Sequence, residues 1–184
     1  MTREIVLIGR SNVGKSTLFK EITGKNVRIG RRPGVTLAPT KVLRGGVLYV
    51  DMPGYGFMAG VPVVQQKATK DFIVRYFEEK AEDLLLVIEV IDASAFLEIA
   101  RRWERRGEIP LEVELYEFLC ELGLTVVVGA NKMDRVASPD RTLDEICETL
   151  GMLPPWRQWM DKIAPICAKR GDIDPLLKII KAKK

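Results

Sequence analysis

The chain has 184 residues, which is within the range of one domain and enough for a three-layer α/β core, so we predict a single domain over residues 1–184. Its net charge of +4 and pI near 9.0 permit contact with nucleic acid without requiring it. Histidine is absent, which excludes histidine-based triads, histidine general bases and histidine-ligated metals.

The first predicted elements are a strand and a helix with a glycine-rich turn between them. Residues 5–8 form an apolar, β-branched run typical of a buried strand, and residues 17–22 have helical spacing. The turn, residues 9–16, fits the pattern G-x-x-x-x-G-K-[ST] at every fixed position. No basic segment followed by an apolar stretch precedes the strand, so we expect no signal peptide and a cytoplasmic location.

This turn has the features of a phosphate-binding loop. Its glycines let successive backbone N–H groups face one phosphate, and the following helix adds partial positive charge at its N-terminus. Lys15 would reach the β- and γ-phosphates and act in catalysis, and the Ser16 hydroxyl would ligate Mg²⁺. A chance match is the alternative, although the flanking strand and helix count against it. We predict nucleotide contacts from Gly9, Arg10, Ser11, Asn12, Val13, Gly14, Lys15, Ser16 and Thr17.

A loop and a hairpin come next. Residues 26–39 are rich in Arg, Gly and Pro and lack periodicity, which predicts a loop. Thr36 in this loop is our candidate for a second Mg²⁺ ligand and for a catalytic sensor of the γ-phosphate, and a threonine without any role is an equally good interpretation. Residues 41–43 and 46–50 predict two strands around a Gly-Gly turn, which would add one antiparallel edge to a parallel sheet.

The hairpin ends in Asp51, and Gly54 follows three residues later. This spacing matches D-x-x-G, in which the carboxylate holds Mg²⁺ and the glycine N–H contacts the γ-phosphate during catalysis. An ordinary turn that begins with aspartate is the alternative for these four residues taken alone. Two aromatic residues that we expect to be exposed, Tyr55 and Phe57, follow in a glycine-containing segment.

Strands and helices alternate through the rest of the chain. Apolar spacing predicts helices over residues 64–80, 111–122 and 142–150, and a final helix that begins near residue 172. Apolar runs predict buried strands over residues 84–91, 124–128 and 162–167, and the longest is too short to span a membrane. This α/β alternation predicts a mostly parallel sheet with helices on both faces.

The most basic stretch, residues 95–110, carries four arginines around Trp103. Arginines bind RNA phosphates, and an exposed tryptophan can stack on an unpaired base. The alternative is a solvated helix face with Trp103 turned into the core.

A base-recognition motif follows the strand predicted over residues 124–128. Asn131, Lys132 and Asp134 fit N-K-x-D. The Asp134 carboxylate can accept hydrogen bonds from the N1–H and the exocyclic amine of guanine, whereas adenine presents an acceptor where guanine has N1–H. Asn131 would tie this loop to the phosphate loop, and the Lys132 stem would cover one face of the base. A solvated polar turn is the alternative.

The three cysteines, which are odd in number and widely spaced, suit neither a disulfide framework nor a zinc site. We expect buried, reduced thiols at Cys120, Cys147 and Cys167.

Together these motifs resemble those of the phosphate-loop GTPases of the translation-factor class, and more closely those of an archaeal-like variant of the EngB (YihA/YsxC) family. The resemblance covers the whole chain and rests on residues 9–16, 33–36 and 51–57. It implies the phosphate-loop GTPase fold with six strands, Mg²⁺-dependent binding and hydrolysis of GTP, and a switch role in assembly of the large ribosomal subunit. It also implies that guanine O6 accepts from the Ala168 N–H, in an element that here reads Cys167, Ala168 and Lys169 instead of Ser-Ala-Lys.

The resemblance also bears on catalysis and partners. Tyr55 stands where Ras-like proteins carry the glutamine that orients water, so hydrolysis by the chain alone should be slow. Asn12 matches an asparagine that helps bind a monovalent cation in potassium-activated relatives, so K⁺ is a second candidate cofactor. We expect a monomer whose partners are a guanine nucleotide and a ribosomal subunit or rRNA, with no membrane contact. Val35 and the length of the basic stretch depart from the bacterial pattern.

Two other functions are compatible with parts of the sequence. A nucleotide-dependent scaffold on RNA or the ribosome, for which hydrolysis is incidental, is favoured by Tyr55 and disfavoured by the intact Lys15, Ser16 and Asp51. An ATP-using kinase or transporter ATPase is disfavoured by the N-K-x-D motif.

Overall fold

Six strands form one sheet whose order positions the candidate site. The computed structural model describes residues 3–24, 39–56 and 62–184, so Thr36, Val35 and Phe57 lie outside the described residues. The strands are β1 (Glu4–Ile8), β2 (Thr40–Arg44), β3 (Val47–Asp51), β4 (Leu84–Asp92), β5 (Val126–Asn131) and β6 (Ile163–Pro165). Their order is β2-β3-β1-β4-β5-β6, with β2 antiparallel to β3 and the other neighbours parallel. The predicted six-stranded sheet with one antiparallel edge strand is confirmed.

Helices cover both faces of this sheet. They are α1 (Lys15–Thr23), α2 (Val63–Lys80), α3 (Phe96–Glu104), α4 (Leu111–Glu121), α5 (Pro139–Thr149) and α6 (Asp174–Lys183). Because successive residues of a strand point to opposite faces, every strand except the edge strand β2 contributes to two hydrophobic clusters. Ile5 and Leu7 of β1 belong to the cluster that contains α1 and α6, whereas Val6 and Ile8 belong to the one that contains α2 to α5. The predicted three-layer α/β fold is confirmed. Within the described ranges, no helix combines the length and the apolar character needed to cross a membrane.

The basic stretch contains a helix, α3, which the sequence predicted only as one of two alternatives. Phe96 and Ala100, four residues apart, are buried and attach it to the sheet. Burial of a phenylalanine side chain contributes about 2 to 3 kcal/mol, which stabilises the attachment of α3 to the sheet. Trp103 is partly buried, so it is neither fully turned into the core nor fully presented to solvent.

The cysteines do not all share one environment. Cys147 and Cys167 are buried free thiols, as predicted, whereas Cys120 is exposed. Cys120 follows the buried Leu119 on α4, and one residue along a helix turns the side chain by about 100°, away from the sheet. The prediction of a buried thiol is therefore wrong for Cys120.

Candidate functional site

Four strands bring the candidate residues to the same edge of the sheet. β1 leads into the phosphate loop, β3 ends at Asp51, β4 ends at Asp92 and β5 ends at Asn131. These strands are parallel neighbours, so their carboxyl ends meet where open α/β sheets bind ligands. Motifs that are far apart in the sequence are thereby brought to one crevice.

Two glycines let the loops of this crevice approach one another closely. Gly14, directly before α1, has φ 94°, and a Cβ atom on it would lie 2.4 Å from Asn131 Nδ2. A Cβ atom on Gly54 would lie 2.7 Å from Ser11 Oγ. A larger residue at either position would push the phosphate loop away from a neighbouring segment, which is the physical reason for glycine in both motifs.

Lys15, Ser16 and Asp51 form a buried polar group at the start of α1. Lys15 Nζ lies 2.6 Å from Asp51 Oδ1 and also donates to the Met52 carbonyl, while Ser16 Oγ donates to Asp51 Oδ2 at 2.8 Å. The Lys15 and Asp51 side chains are 6% and 1% exposed, so each charge depends on the other for compensation. The Asp51 carboxylate and the Ser16 hydroxyl supply adjacent oxygen ligands of the kind that Mg²⁺ prefers. The residues present therefore fit the predicted metal.

Asn131 joins three segments of the crevice. Its Nδ2 atom donates to the Val13 carbonyl at 2.8 Å, and its Oδ1 atom accepts from the Ala168 N–H at 3.0 Å. The first bond is the predicted tie between the N-K-x-D loop and the phosphate loop. The second bond engages the same Ala168 N–H that is predicted to contact guanine O6. A contact between Ala168 and guanine requires that this bond be shared or exchanged.

Lys132 extends across the phosphate loop. Its Nζ atom donates to the Asn12 carbonyl at 2.8 Å and to Asp92 Oδ2 at 2.6 Å. Asn12 and Lys132 both have left-handed backbone conformations, with φ of 69° and 65°, which asparagine tolerates better than lysine. The side chain of Lys132 is thus fixed between the end of β4 and the phosphate loop, while Asn12 is exposed.

Asp134 is oriented by the cysteine that departs from the family pattern. Cys167 Sγ lies 3.2 Å from Asp134 Oδ1, and Arg170 Nη2 lies 3.9 Å from Oδ2. The thiol hydrogen bond, and next to it the charge of Arg170, lower the pKa of Asp134 below its ordinary value. Asp134 is therefore ionised at neutral pH, which is the form that can accept two hydrogen bonds from one base edge. A thiol at position 167 preserves the donor that a serine hydroxyl would supply.

A cavity of about 170 Å³ connects these residues. Its lining comes from the phosphate loop, the N-K-x-D loop and the segment after β6. The lining residues are Gly14, Thr17, Asn131, Lys132, Asp134, Arg135, Cys167, Ala168 and Lys169. All but Arg135 were predicted from motifs, and Arg135 lies one residue beyond the N-K-x-D pattern.

Tyr55 is turned into the protein, contrary to the prediction that it is exposed. Its hydroxyl donates to Glu89 Oε1 at 3.1 Å, and its backbone N–H lies 3.4 Å from the Gly9 carbonyl. Burial, reinforced by the negative charges of Glu89 and Glu112, raises the pKa of Tyr55 well above its ordinary value, so the hydroxyl remains a donor. The reason for the inward orientation is the buried acceptor on β4, which the local sequence around Tyr55 does not reveal.

Arg10, Glu89 and Glu112 surround this tyrosine, and none was predicted in this role. Arg10 Nη1 lies 3.3 Å from Glu112 Oε1, so the Arg10 side chain points toward α4 while its backbone remains in the phosphate loop. Glu89 and Glu112 are 0% and 3% exposed, and in each the Oε2 atom lacks a hydrogen-bond partner among the described residues. Burial raises the pKa of Glu89 well above its ordinary value; the Tyr55 hydrogen bond opposes this shift and Glu112 adds to it. The signal that could have identified Glu89 is a charged residue inside the apolar run of residues 84–91.

Known proteins are similar to this chain over all the segments that form the crevice. Residues 4–132 match the model of a family described as "50S ribosome-binding GTPase". A protein of Methanopyrus kandleri described as "Probable GTP-binding protein EngB" is 53% identical over 174 residues, which cover 92% of this chain and 85% of the relative. A protein of Methanosarcina mazei with the same description is 47% identical over 180 residues, covering 97% of this chain and 86% of the relative.

Similarity in three dimensions is equally extensive. A crystal structure described as that of a probable GTP-binding protein EngB superposes with a TM-score of 0.89 and 40% sequence identity. The match covers 98% of this chain and 97% of that one, so it includes the segment after β6 that lies beyond the family match.

Proposed function

The chain belongs to the EngB family of GTPases, and on that premise we propose that it acts as a GTP-dependent switch in the assembly of the large ribosomal subunit. The observation that carries the proposal is that the Lys15–Asp51 pair lies at the start of α1, next to Gly14, and that one cavity joins Gly14 to Asp134. The Lys15 end suits phosphates, and the Asp134 end suits a guanine edge. Action as a monomer in the cytoplasm is part of the same proposal, and the elution volume of the purified protein tests the first point.

The proposed roles follow from the chemistry of each group. Backbone N–H groups of the phosphate loop and the Lys15 ammonium would bind the phosphates, and Asp134 would accept from guanine. Ser16 and Asp51, together with Thr36, would hold Mg²⁺, which when bound supplies positive charge that stabilises the transferring phosphoryl group. Gly54 would contact the γ-phosphate through its N–H. GTP would thereby order the segments around Thr36 and Gly54, and hydrolysis would release them.

Slow intrinsic hydrolysis is a second part of the proposal. The residue after Gly54 is Tyr55, whose hydroxyl is engaged by Glu89, so this position has no side chain that can orient the attacking water as glutamine does. We expect turnover by the protein alone at about 10⁻⁴ to 10⁻³ per second. A rate of hydrolysis far above this range would contradict the proposal.

A potassium ion is a candidate for the positive charge that an arginine supplies to the transition state in other GTPases. Asn12 is exposed at the crevice and has a left-handed backbone, so its side-chain oxygen is available to a cation. Replacing K⁺ by Na⁺ at fixed ionic strength should slow hydrolysis by the unmodified protein and leave Asn12→Ala unaffected. Identical responses of the two proteins would exclude Asn12 as the ligand.

Single-turnover hydrolysis of GTP, measured with and without purified ribosomal subunits, tests the function directly. We expect slow hydrolysis alone, acceleration by large subunits and no acceleration by small subunits. Lys15→Ala should remove the activity in every mixture. Co-sedimentation should show tighter association with large subunits in a non-hydrolysable GTP analogue than in GDP, and equal association in both would contradict a switch.

The engagement of the Tyr55 hydroxyl by Glu89 also supports a second candidate, a nucleotide-dependent scaffold for which hydrolysis is incidental. A scaffold should bind subunits equally well in the GDP and GTP forms. It should also support subunit assembly when hydrolysis is blocked, whereas a switch should accumulate on its target under the same conditions.

A further inference from the structure

A buried carboxyl group lies beside the phosphate loop although binding of nucleotide does not require it. Glu89 is in the middle of β4, paired in register with Ile8 of β1 and Val128 of β5. It is 0% exposed, and the face on which its neighbours Val87 and Ile91 lie is the one covered by α2 to α5. An apolar side chain would be more stable at such a position, because a buried carboxyl group loses its hydration. Packing therefore does not explain a glutamate at this position, and a specific interaction of its carboxyl group does.

The group that Glu89 holds is the residue directly after Gly54. Tyr55 is attached at two points, its hydroxyl to Glu89 Oε1 at 3.1 Å and its backbone N–H to the Gly9 carbonyl at 3.4 Å. Gly54 is thereby kept against Ser11, where a Cβ atom would already lie 2.7 Å from the Ser11 hydroxyl oxygen.

The next residue of the segment is enclosed as well. A Cβ atom on Gly56 would lie 3.1 Å from a methyl group of Leu111 and 3.5 Å from Arg10 Nε. Arg10 is itself fixed by its ion pair with Glu112 at the start of α4. The segment of residues 54–56 is thus held between the phosphate loop, β4 and α4.

We propose that Glu89 is a positioning residue for GTP hydrolysis, which holds Tyr55 so that the Gly54 N–H stays against the phosphate loop. This inference rests on the function proposed above. In that reaction the oxygen of water bonds to the γ-phosphorus while the bond from this phosphorus to the β-phosphate oxygen breaks, giving GDP and phosphate. Glu89 touches none of these atoms, and its effect passes through one hydrogen bond to the segment that carries Gly54. Misplacement of a contributing group by about 1 Å can lower a rate up to about 100-fold.

Two substitutions break this hydrogen bond from opposite ends. Glu89→Leu removes the acceptor, and Tyr55→Phe removes the hydroxyl alone. Each should lower single-turnover kcat about tenfold, as expected for the loss of one hydrogen bond to a carboxyl group, while the affinity for GDP, which lacks the γ-phosphate, should stay unchanged within about twofold. The double variant should be no slower than the slower single variant, because both remove the same interaction.

A conservative variant and a matched control separate positioning from general stability. Glu89→Gln keeps a carbonyl oxygen that can accept from Tyr55, so its kcat should stay within about threefold of the unmodified protein. Tyr76→Phe is the control, because the Tyr76 hydroxyl donates to the buried Glu4 at the end of β1 opposite to the phosphate loop. It loses a tyrosine–glutamate bond of the same kind and should keep its kcat.

The affinity for GDP, measured for every variant, shows which proteins are folded, and Tyr55→Phe carries the test if Glu89→Leu does not fold. Unchanged or increased kcat in Tyr55→Phe would overturn the inference, and so would an equal loss in Tyr76→Phe. If the unmodified protein binds GTP but does not hydrolyse it with or without ribosomal subunits, the proposed function fails. If the unmodified protein and Tyr55→Phe hydrolyse GTP at the same rate, the inference about Glu89 is wrong while the proposed function stands.

Discussion

At the scale of single residues, the proposed choice of guanine depends on Asp134 and on the neighbours that orient its carboxylate. The Cys167 thiol and Arg170 both lower the pKa of this carboxylate. Because its side chain is 18% exposed, Asp134 stays open to the cavity while Cys167 fixes one of its oxygens. The site therefore presents a ready double acceptor, and it does so with a thiol where a serine was expected from the family.

Asp134→Asn should change the preferred base. The new amide can donate to the C2 oxygen of xanthine, whereas it places a donor against the amine of guanine. We expect the affinity for GTP to fall by roughly 100-fold or more and that for XTP to rise. Competition of GTP, XTP and ATP against a fluorescent GDP measures this change. Equal binding of GTP and ATP by the unmodified protein would remove the basis of the assignment.

Cys167→Ala should weaken GTP binding, because Asp134 then loses the hydrogen bond that orients it. Loss of one such bond corresponds to a decrease of about fivefold in affinity. Cys167→Ser, which keeps a donor at the same place, should bind GTP within about twofold of the unmodified protein. Calorimetric titration of the three proteins compares them directly, and an equal loss in both variants would show that the donor is not what matters.

The motif residues of the site could be predicted because each motif is a short local pattern at the end of a strand. Lys15, Asp51 and Asn131 lie where those patterns imply, since parallel strands bring their carboxyl ends together. The partners of Tyr55 could not be predicted in the same way. Glu89 contacts Tyr55 from β4, Glu112 approaches it because α4 packs against the sheet, and no spacing in the sequence records either approach.

At the scale of elements, both arginines of α3 form ion pairs with glutamates, which makes them less available to RNA phosphates. Arg101 pairs with Glu145 of α5 at 2.6 Å, and Arg102 pairs with Glu98 one turn earlier at 2.7 Å. Across the described ranges, Arg105 and Arg106 form no ion pair with a carboxylate, and both are exposed. If the basic stretch contacts RNA, these two arginines, which directly follow α3, are the residues available to do so.

Arg105→Glu combined with Arg106→Glu should weaken binding to large subunits or rRNA and leave the affinity for GTP unchanged. The slope of the logarithm of the binding constant against the logarithm of the salt concentration should become shallower by about two, one for each lost phosphate contact. Lys181→Glu with Lys183→Glu on α6 is the matched control, since it changes the net charge equally at another surface. If the lysine variant of α6 loses binding and the variant of Arg105 and Arg106 does not, the RNA-binding surface is the C-terminal helix.

The order and type of most elements could be predicted, because buried strands read as apolar runs and surface helices as periodic ones. The helix that was predicted only as an alternative, α3, has two buried residues in nine and a surface rich in arginine and glutamate. Such a helix is stabilised by a few tertiary contacts and by local ion pairs, and the sequence pattern alone does not distinguish it from a charged loop.

At the scale of the whole molecule, Glu89 is an ionisable group buried in an inner strand of the sheet. It becomes exposed to water only when the protein unfolds. Burial raises its pKa above the ordinary value of about 4.5, and Glu112 adds to this effect while Tyr55 opposes it. Above pH 4.5 the folded protein therefore retains a proton that the unfolded chain has lost. The contribution of this group to the free energy of unfolding is greatest below that pH and decreases as the pH rises toward the raised pKa.

Glu89→Gln should abolish this dependence. The free energy of unfolding of the variant, relative to the unmodified protein, should increase with pH above about 5, by at most about 1.4 kcal/mol per pH unit. Urea denaturation of both proteins at pH 5, 6, 7 and 8 measures the difference. Parallel stability curves would show that Glu89 has no raised pKa in the folded protein.

The ion pair between Lys15 and Asp51 has a consequence for how the ligands of the site affect one another. Asp51 and a phosphate compete for the charge of the Lys15 ammonium, and an unpaired buried carboxylate is costly. A phosphate that draws Lys15 away should therefore strengthen the binding of Mg²⁺ to Asp51, and by thermodynamic reciprocity Mg²⁺ should strengthen nucleotide binding by the same factor. Titrations of GDP at several Mg²⁺ concentrations measure this factor, and in Asp51→Asn, where Lys15 has no charged competitor, it should be smaller.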